Sequence, residues 1–97
     1  MKQKQLKQNA TAAAEFVKSF AHPARLMVLC ALTEGEMSVS HMLKMIPIGQ
    51  TALSQHLSRL RHEGLVTYRR ENTTLYYSLS DMRVKGMVNM LYKLFCK

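Results

Sequence analysis

The feature that most restricts the fold of this chain is a four-residue break, Ile46-Pro47-Ile48-Gly49, set between two segments that each carry helical signals. Before it, Ser38 is placed to cap a short helix over Val39–Met45, and Pro47 disfavours helical backbone at the residue preceding it. After it, Gln50–His62 sets Leu53, Leu57 and Leu60 on one stripe and stops at Gly64. Two short helices joined this tightly read as a helix-turn-helix.

The flanking residues complete a small domain. Residues 1–9 are polar and basic and read as a flexible tail, so the domain is expected over 10–97. Ala10–Phe20 reads as a first helix. His22-Pro23 opens a second that runs to Thr33, with Leu26, Leu29, Cys30 and Thr33 on its inward face and Gly35 as its stop. Beyond Gly64 the β-branched and aromatic runs Leu65–Arg70 and Leu75–Leu79 enclose the polar turn Glu71–Thr74, the pattern of a hairpin. Ser80 or Asp81 then caps a last helix whose apolar residues cover more than one face. The expected fold class is therefore mainly α with a small β-hairpin wing: a winged helix-turn-helix of about five helices. A hydrophobic content of 47% is generous for so short a chain and points to a homodimer through the first and last helices. Phe16, Val84, Met87, Val88, Leu91, Leu94 and Phe95 are the expected interface residues.

Charge narrows the partner. Fourteen Lys and Arg against six Asp and Glu give +8, which suits double-stranded DNA. An anionic membrane surface would also attract that charge, but the longest uncharged apolar run, Leu26–Thr33, falls far short of the roughly 20 residues of a spanning helix. With no signal-peptide pattern at its start, the chain is expected in the cytoplasm, where Cys30 and Cys96 are reduced.

The helix after the break carries Gln50, Thr51, Ser54 and Gln55 at its N-terminal end, opposite the leucines. A recognition helix enters the major groove with those residues nearest the base edges. Gln bonds adenine in pairs, and Thr also touches the thymine methyl, so an A·T-rich half-site is expected. Arg59, Arg61, Arg69, Arg70 and the wing tip Asn72, Thr73 and Thr74 are expected on the DNA backbone. The bland alternative is that these are the solvated face of an amphipathic helix; the turn, the wing and the net charge weigh against it. His22, His41 and His56 read as caps or edge groups rather than ligands. No nucleophile–base pair, phosphate loop or metal cluster marks an enzyme, and neither a cofactor nor a metal is expected.

Read from residues alone, Cys30 lies on an inward stripe and behaves as a small inert hydrophobe. Cys96, near the end of the last helix, is an accessible nucleophile. Lys93 and Lys97 favour its thiolate and the helix carbonyl end disfavours it, so no net direction follows.

Four motifs together carry a family resemblance: His22-Pro23-Ala24-Arg25-Leu26, Thr51-Ala52-Leu53-Ser54-Gln55-His56-Leu57, Leu60-Arg61-His62-Glu63-Gly64-Leu65-Val66, and Tyr76-Tyr77-Ser78-Leu79. From about Phe16 onward the chain resembles the ArsR family. The resemblance implies a homodimeric repressor that occupies an operator dyad and leaves when an inducer binds. The family's two common metal sites do not carry over. The stretch Ser38–Met42 has no thiol, and Leu94 stands where one group has a His ligand. What carries over is a cysteine pair, Cys30 and Cys96, similar to the branch that contains BigR, SqrR and HlyU. That likeness implies sensor thiols answering to persulfides and polysulfides. A metal- or general-oxidant-responsive repressor, and an inducer-free architectural DNA-binding protein, remain the alternatives.

Overall fold

The computed structural model describes residues 2–96. In chain order it contains α1 (Gln3–Lys18), α2 (Pro23–Thr33), β1 (Met37–Ser38), α3 (Val39–Met45), α4 (Gln50–His62), β2 (Val66–Glu71), β3 (Thr74–Leu79) and α5 (Arg83–Phe95). These are the five helices and wing of a winged helix-turn-helix.

Local chemistry sets most boundaries. His22 precedes α2 and its Nδ1 accepts the Ala24 N–H at 3.1 Å, while Pro23 fills a position where a missing N–H costs nothing. Ser38 Oγ accepts the His41 N–H at 3.1 Å and so starts α3. After α4 the chain turns through Gly64 at φ 81°, backbone that a Cβ would strain. Asp81 Oδ1 accepts the Arg83 N–H at 3.0 Å at the head of α5, whereas the Ser80 hydroxyl donates to the Gly64 carbonyl. Met82 holds the cap position itself without a side-chain bond, so neither expected residue stands there, and Asp81 contributes by accepting the first N–H of the helix from one residue further out.

Three expectations about the elements themselves are corrected. The first helix begins at Gln3 and not at Ala10, because the lysines, glutamines and Leu6 of the supposed tail are themselves good helix formers. The inward face of α2 is Ala24, Val28, Leu29, Ala31 and Leu32; Cys30 is exposed, and Leu26 and Thr33 are only half-buried. The helix is apolar around most of its circumference, so periodicity alone did not fix which stripe turns inward. The hairpin also gains a third strand, giving the order β1-β3-β2, with Met37 opposite Tyr77 and Ser38 opposite Tyr76.

The core joins these layers. Leu53, Leu57 and Leu60 of α4 pack in one cluster with Leu29 and Leu32 of α2, Met42 of α3, Val66 of β2 and Val84 of α5. Val84 at 0% exposure and Val88 at 8% are used up inside the protomer, a correction to their expected place at an interface. No helix among the described residues is long and apolar enough to cross a membrane.

Candidate nucleic-acid interface and cysteine groove

Because Leu53, Leu57 and Leu60 anchor one side of α4, the opposite side is forced outward. Gln50, Thr51, Ser54, Gln55, Ser58, Arg59 and His62 line one continuous open surface there. All four expected base-reading residues are exposed on it.

The expected backbone-contacting residues separate into distinct environments. Arg70, Asn72 and Thr73 are exposed at the wing, and Thr74 is half-buried. A two-residue turn joins Glu71 to Thr74, with Asn72 at φ 57°, a left-handed conformation that asparagine tolerates well. Arg59 is 60% exposed, with Nε 4.0 Å from Glu63 Oε2. The Ser19 hydroxyl donates to the other Glu63 oxygen at 2.9 Å. Arg61 lies over the Tyr68 ring, 4.6 Å from its centroid.

Arg69 departs from the expectation. Its Nε and Nη2 donate to both carboxylate oxygens of Glu36 at 2.8 Å each, and its Nη1 donates to Glu71 at 2.7 Å. The guanidinium also covers the Tyr76 ring at 4.6 Å. These bonds hold the Glu36 carboxyl below its usual range and push the Arg69 guanidinium up. With its donors engaged by two carboxylates, Arg69 braces the wing root while about half of its side chain, 51%, stays exposed. Sequence reading missed Glu36 because it stands 33 positions from Arg69.

Sequence reading also missed a seam of two histidines and an arginine behind α4. The His22 and His56 rings lie 4.6 Å apart, and Arg25 Nε is buried without a hydrogen-bond partner. Burial first, then His22 and Arg25, hold His56 below the ordinary imidazole value.

At the other functional candidate the fold brings together thiols 66 positions apart, Cys30 on α2 and Cys96 just beyond α5. Both line a groove of about 660 Å³ between the two helices, walled by Leu26, Val88, Leu91, Tyr92 and Phe95, with Glu34 at its edge. Although Cys30 is exposed at the surface, the groove walls desolvate its thiol in part, and this first, then the proximity of Cys96, raises its pKa. Cys30 also borders a second apolar groove toward α3, lined in part by Pro23, Met27, Met45 and Ile46. Of the expected interface residues, Leu94 and Phe95 are 63% and 79% exposed. Phe16, Met87 and Leu91 are half-buried, and the Arg83 guanidinium lies over the Phe16 ring. Among the described residues no group of three His, Cys, Asp or Glu could hold a metal ion.

Known proteins share both sequence and fold with this chain. The family model described as "Bacterial regulatory protein, arsR family" matches residues 22–68. The transcriptional activator HlyU of Vibrio cholerae is 38% identical over 97 residues, which is 100% of this chain and 90% of that protein. The crystal structure of the transcriptional regulator HlyU from Vibrio vulnificus superposes with a TM-score of 0.91 at 42% identity, covering 99% of this chain and 100% of that one. The crystal structure of the transcriptional repressor BigR from Xylella fastidiosa also gives 0.91, at 39% identity, covering 100% and 99%. Helix order, wing and end-to-end identity agree, and the chain belongs to the ArsR family of bacterial regulatory proteins, in the branch of HlyU and BigR, and is not an enzyme.

Proposed function

We propose that the chain is a homodimeric transcriptional repressor of the bacterial cytoplasm, released from an operator dyad when reactive sulfur species modify or bridge Cys30 and Cys96. The observation that carries the sensing half is the shared groove: two thiols from distant parts of the chain line one cleft between α2 and α5. In the DNA-binding half, Gln50, Thr51, Ser54 and Gln55 read bases. Arg59, Arg61, Arg70 and the tip Asn72–Thr74 hold the backbone. Phe16, Met87, Leu91, Leu94 and Phe95 form the apolar contact between protomers. The repressor BigR supports the sign of regulation.

A thiolate attacks a sulfane sulfur and expels the rest of the carrier as a thiolate or sulfide anion, leaving sulfane sulfur bonded to the cysteine; the second cysteine thiolate then attacks a sulfur of that adduct and expels its terminal group as thiolate or hydrosulfide, which closes the bridge. The bridge ties α2 to α5 and so turns the reading heads of the dimer off their half-site spacing of about 34–36 Å. A coupling of about 1–3 kcal/mol weakens DNA binding roughly 5- to 150-fold.

The experiment treats reduced protein with polysulfide or peroxide and reads intact mass and affinity for a selected duplex on the same samples. Whole-sulfur mass additions that accompany release support the reading. Serine at either cysteine should leave reduced-state affinity intact and abolish release; release that persists in both variants defeats it.

A further inference from the structure

The surroundings of the two thiols say which carriers of sulfane sulfur the groove admits, an inference that rests on the sulfur-sensing function proposed above. The walls contributed by Leu26, Leu91, Tyr92 and Phe95 are apolar, and Tyr92, which lies outside the proposed contact between protomers, keeps most of its surface exposed. At about 660 Å³ the groove falls in the size range of small-molecule sites, roughly 300–1,000 Å³. Among the described residues its one charged lining residue is Glu34, an anion, and no lysine or arginine lines it. The chain as a whole carries +8, so the groove departs locally from the field around it. Cys30 also stands where this groove meets the second one, and Leu26 and Glu34 line both. A reagent with a sulfur chain between two apolar arms could lay one arm on each side of that thiol.

We infer that the thiols are tuned to uncharged, apolar sulfane carriers, dialkyl polysulfanes of the type RS–S–S–SR, in preference to anionic carriers such as glutathione polysulfanes. In the first step the Cys96 thiolate attacks the inner sulfur bonded to one RS group. A Cys96–S bond forms, the S–SR bond breaks, and RS⁻ leaves to take up the proton that Cys96 gave up. In the second step Cys30 attacks the remaining inner sulfur bonded to SR and expels the second RS⁻, which is protonated in turn. The sum is RS–S–S–SR plus two Cys–SH giving Cys–S–S–S–S–Cys plus two RSH. The two thiols are oxidised by two electrons, and the carrier, reduced by two, leaves as two thiols. Apolar arms gain by leaving water, whereas a glutathione arm brings carboxylates toward Glu34, which no cation among the described lining residues offsets.

The test uses the full reduced chain with dipropyl tetrasulfide, glutathione tetrasulfide and sodium tetrasulfide. Initial rates of thiol loss are read by intact mass, each divided by the rate of the same reagent with N-acetylcysteine. We expect the dipropyl reagent to react roughly tenfold faster than the glutathione reagent, about the effect of two buried methylenes. Glu34→Lys should raise the glutathione rate and Tyr92→Asn should lower the dipropyl rate, each narrowing the ratio. Equal or inverted normalised rates in the parent chain, or a ratio unmoved in both variants, would overturn the preference. If sodium tetrasulfide still modifies the cysteines and releases DNA in that case, the sulfur-sensing function stands without it. If sodium tetrasulfide leaves the thiols untouched, both fall.

Discussion

The imidazole rings of His22 and His56 lie 4.6 Å apart at the seam between the start of α2 and the middle of α4, with Arg25 beside them. Burial and these two neighbours lower the His56 pKa, so the folded state favours the neutral ring. The corresponding stability is complete above the ordinary value of 6.5 and is lost as pH falls below it toward the lowered value. Glu36 and Asp81 are lowered from 4.5 and 3.8, so their contributions persist until more acidic pH. The urea midpoint should therefore drop between about pH 7.5 and about pH 5.5, and His56→Gln should flatten that segment.

The carboxylates of Glu36 and Glu71 compete with any DNA phosphate for the Arg69 guanidinium. In Glu36→Gln the two charge-assisted bonds at 2.8 Å are weakened and the guanidinium becomes available to a phosphate. The dependence of log affinity on log salt should steepen by up to about 0.9, one added phosphate contact. An unchanged slope would mean that Arg69 stays braced without Glu36.

Two apolar residues of α5 should part company. Val84 is fully buried, so Val84→Ala should cost about 1.5–3 kcal/mol of folding stability in denaturant titrations. Leu94 is 63% exposed, so Leu94→Ala should spare the fold of the protomer. Its effect should appear as weaker self-association in sedimentation.

Base reading and backbone holding are separable by the kind of loss. Gln55→Ala should remove about 1–3 kcal/mol of discrimination at one base pair, seen by comparing single-base variants of a bound duplex. Arg70→Ala should weaken binding to all duplexes alike and reduce the salt slope by about 0.9.

What the sequence disclosed was whatever is determined locally. The bounds of α4 follow from the Ile46–Gly49 break and from Gly64, and the leucine stripe fixes which face turns outward. The hairpin follows from its β-branched and aromatic runs about a polar turn. What stayed hidden depends on distant partners. β1 is two residues long and exists by pairing with β3 nearly forty positions away. The Glu36–Arg69 brace and the His22–His56 contact each join elements well separated in sequence. The exposure of Cys30 depended on which stripe of an almost wholly apolar helix packs inward, and tertiary packing chose Val28 and Leu32.

Ser38 is at once the last residue of β1, opposite Tyr76 of the wing, and the cap that starts α3. Ser38, the Arg61–Tyr68 contact and the packing of Val66 on the α4 leucines together fasten wing to helix-turn-helix, and each reading head behaves as one jaw of a caliper. A head built this way has no internal joint with which to absorb a mismatch between half-sites. Whatever changes the separation of the two jaws, a base pair inserted into the operator or a tether between α2 and α5, therefore acts on every DNA contact of a head at once.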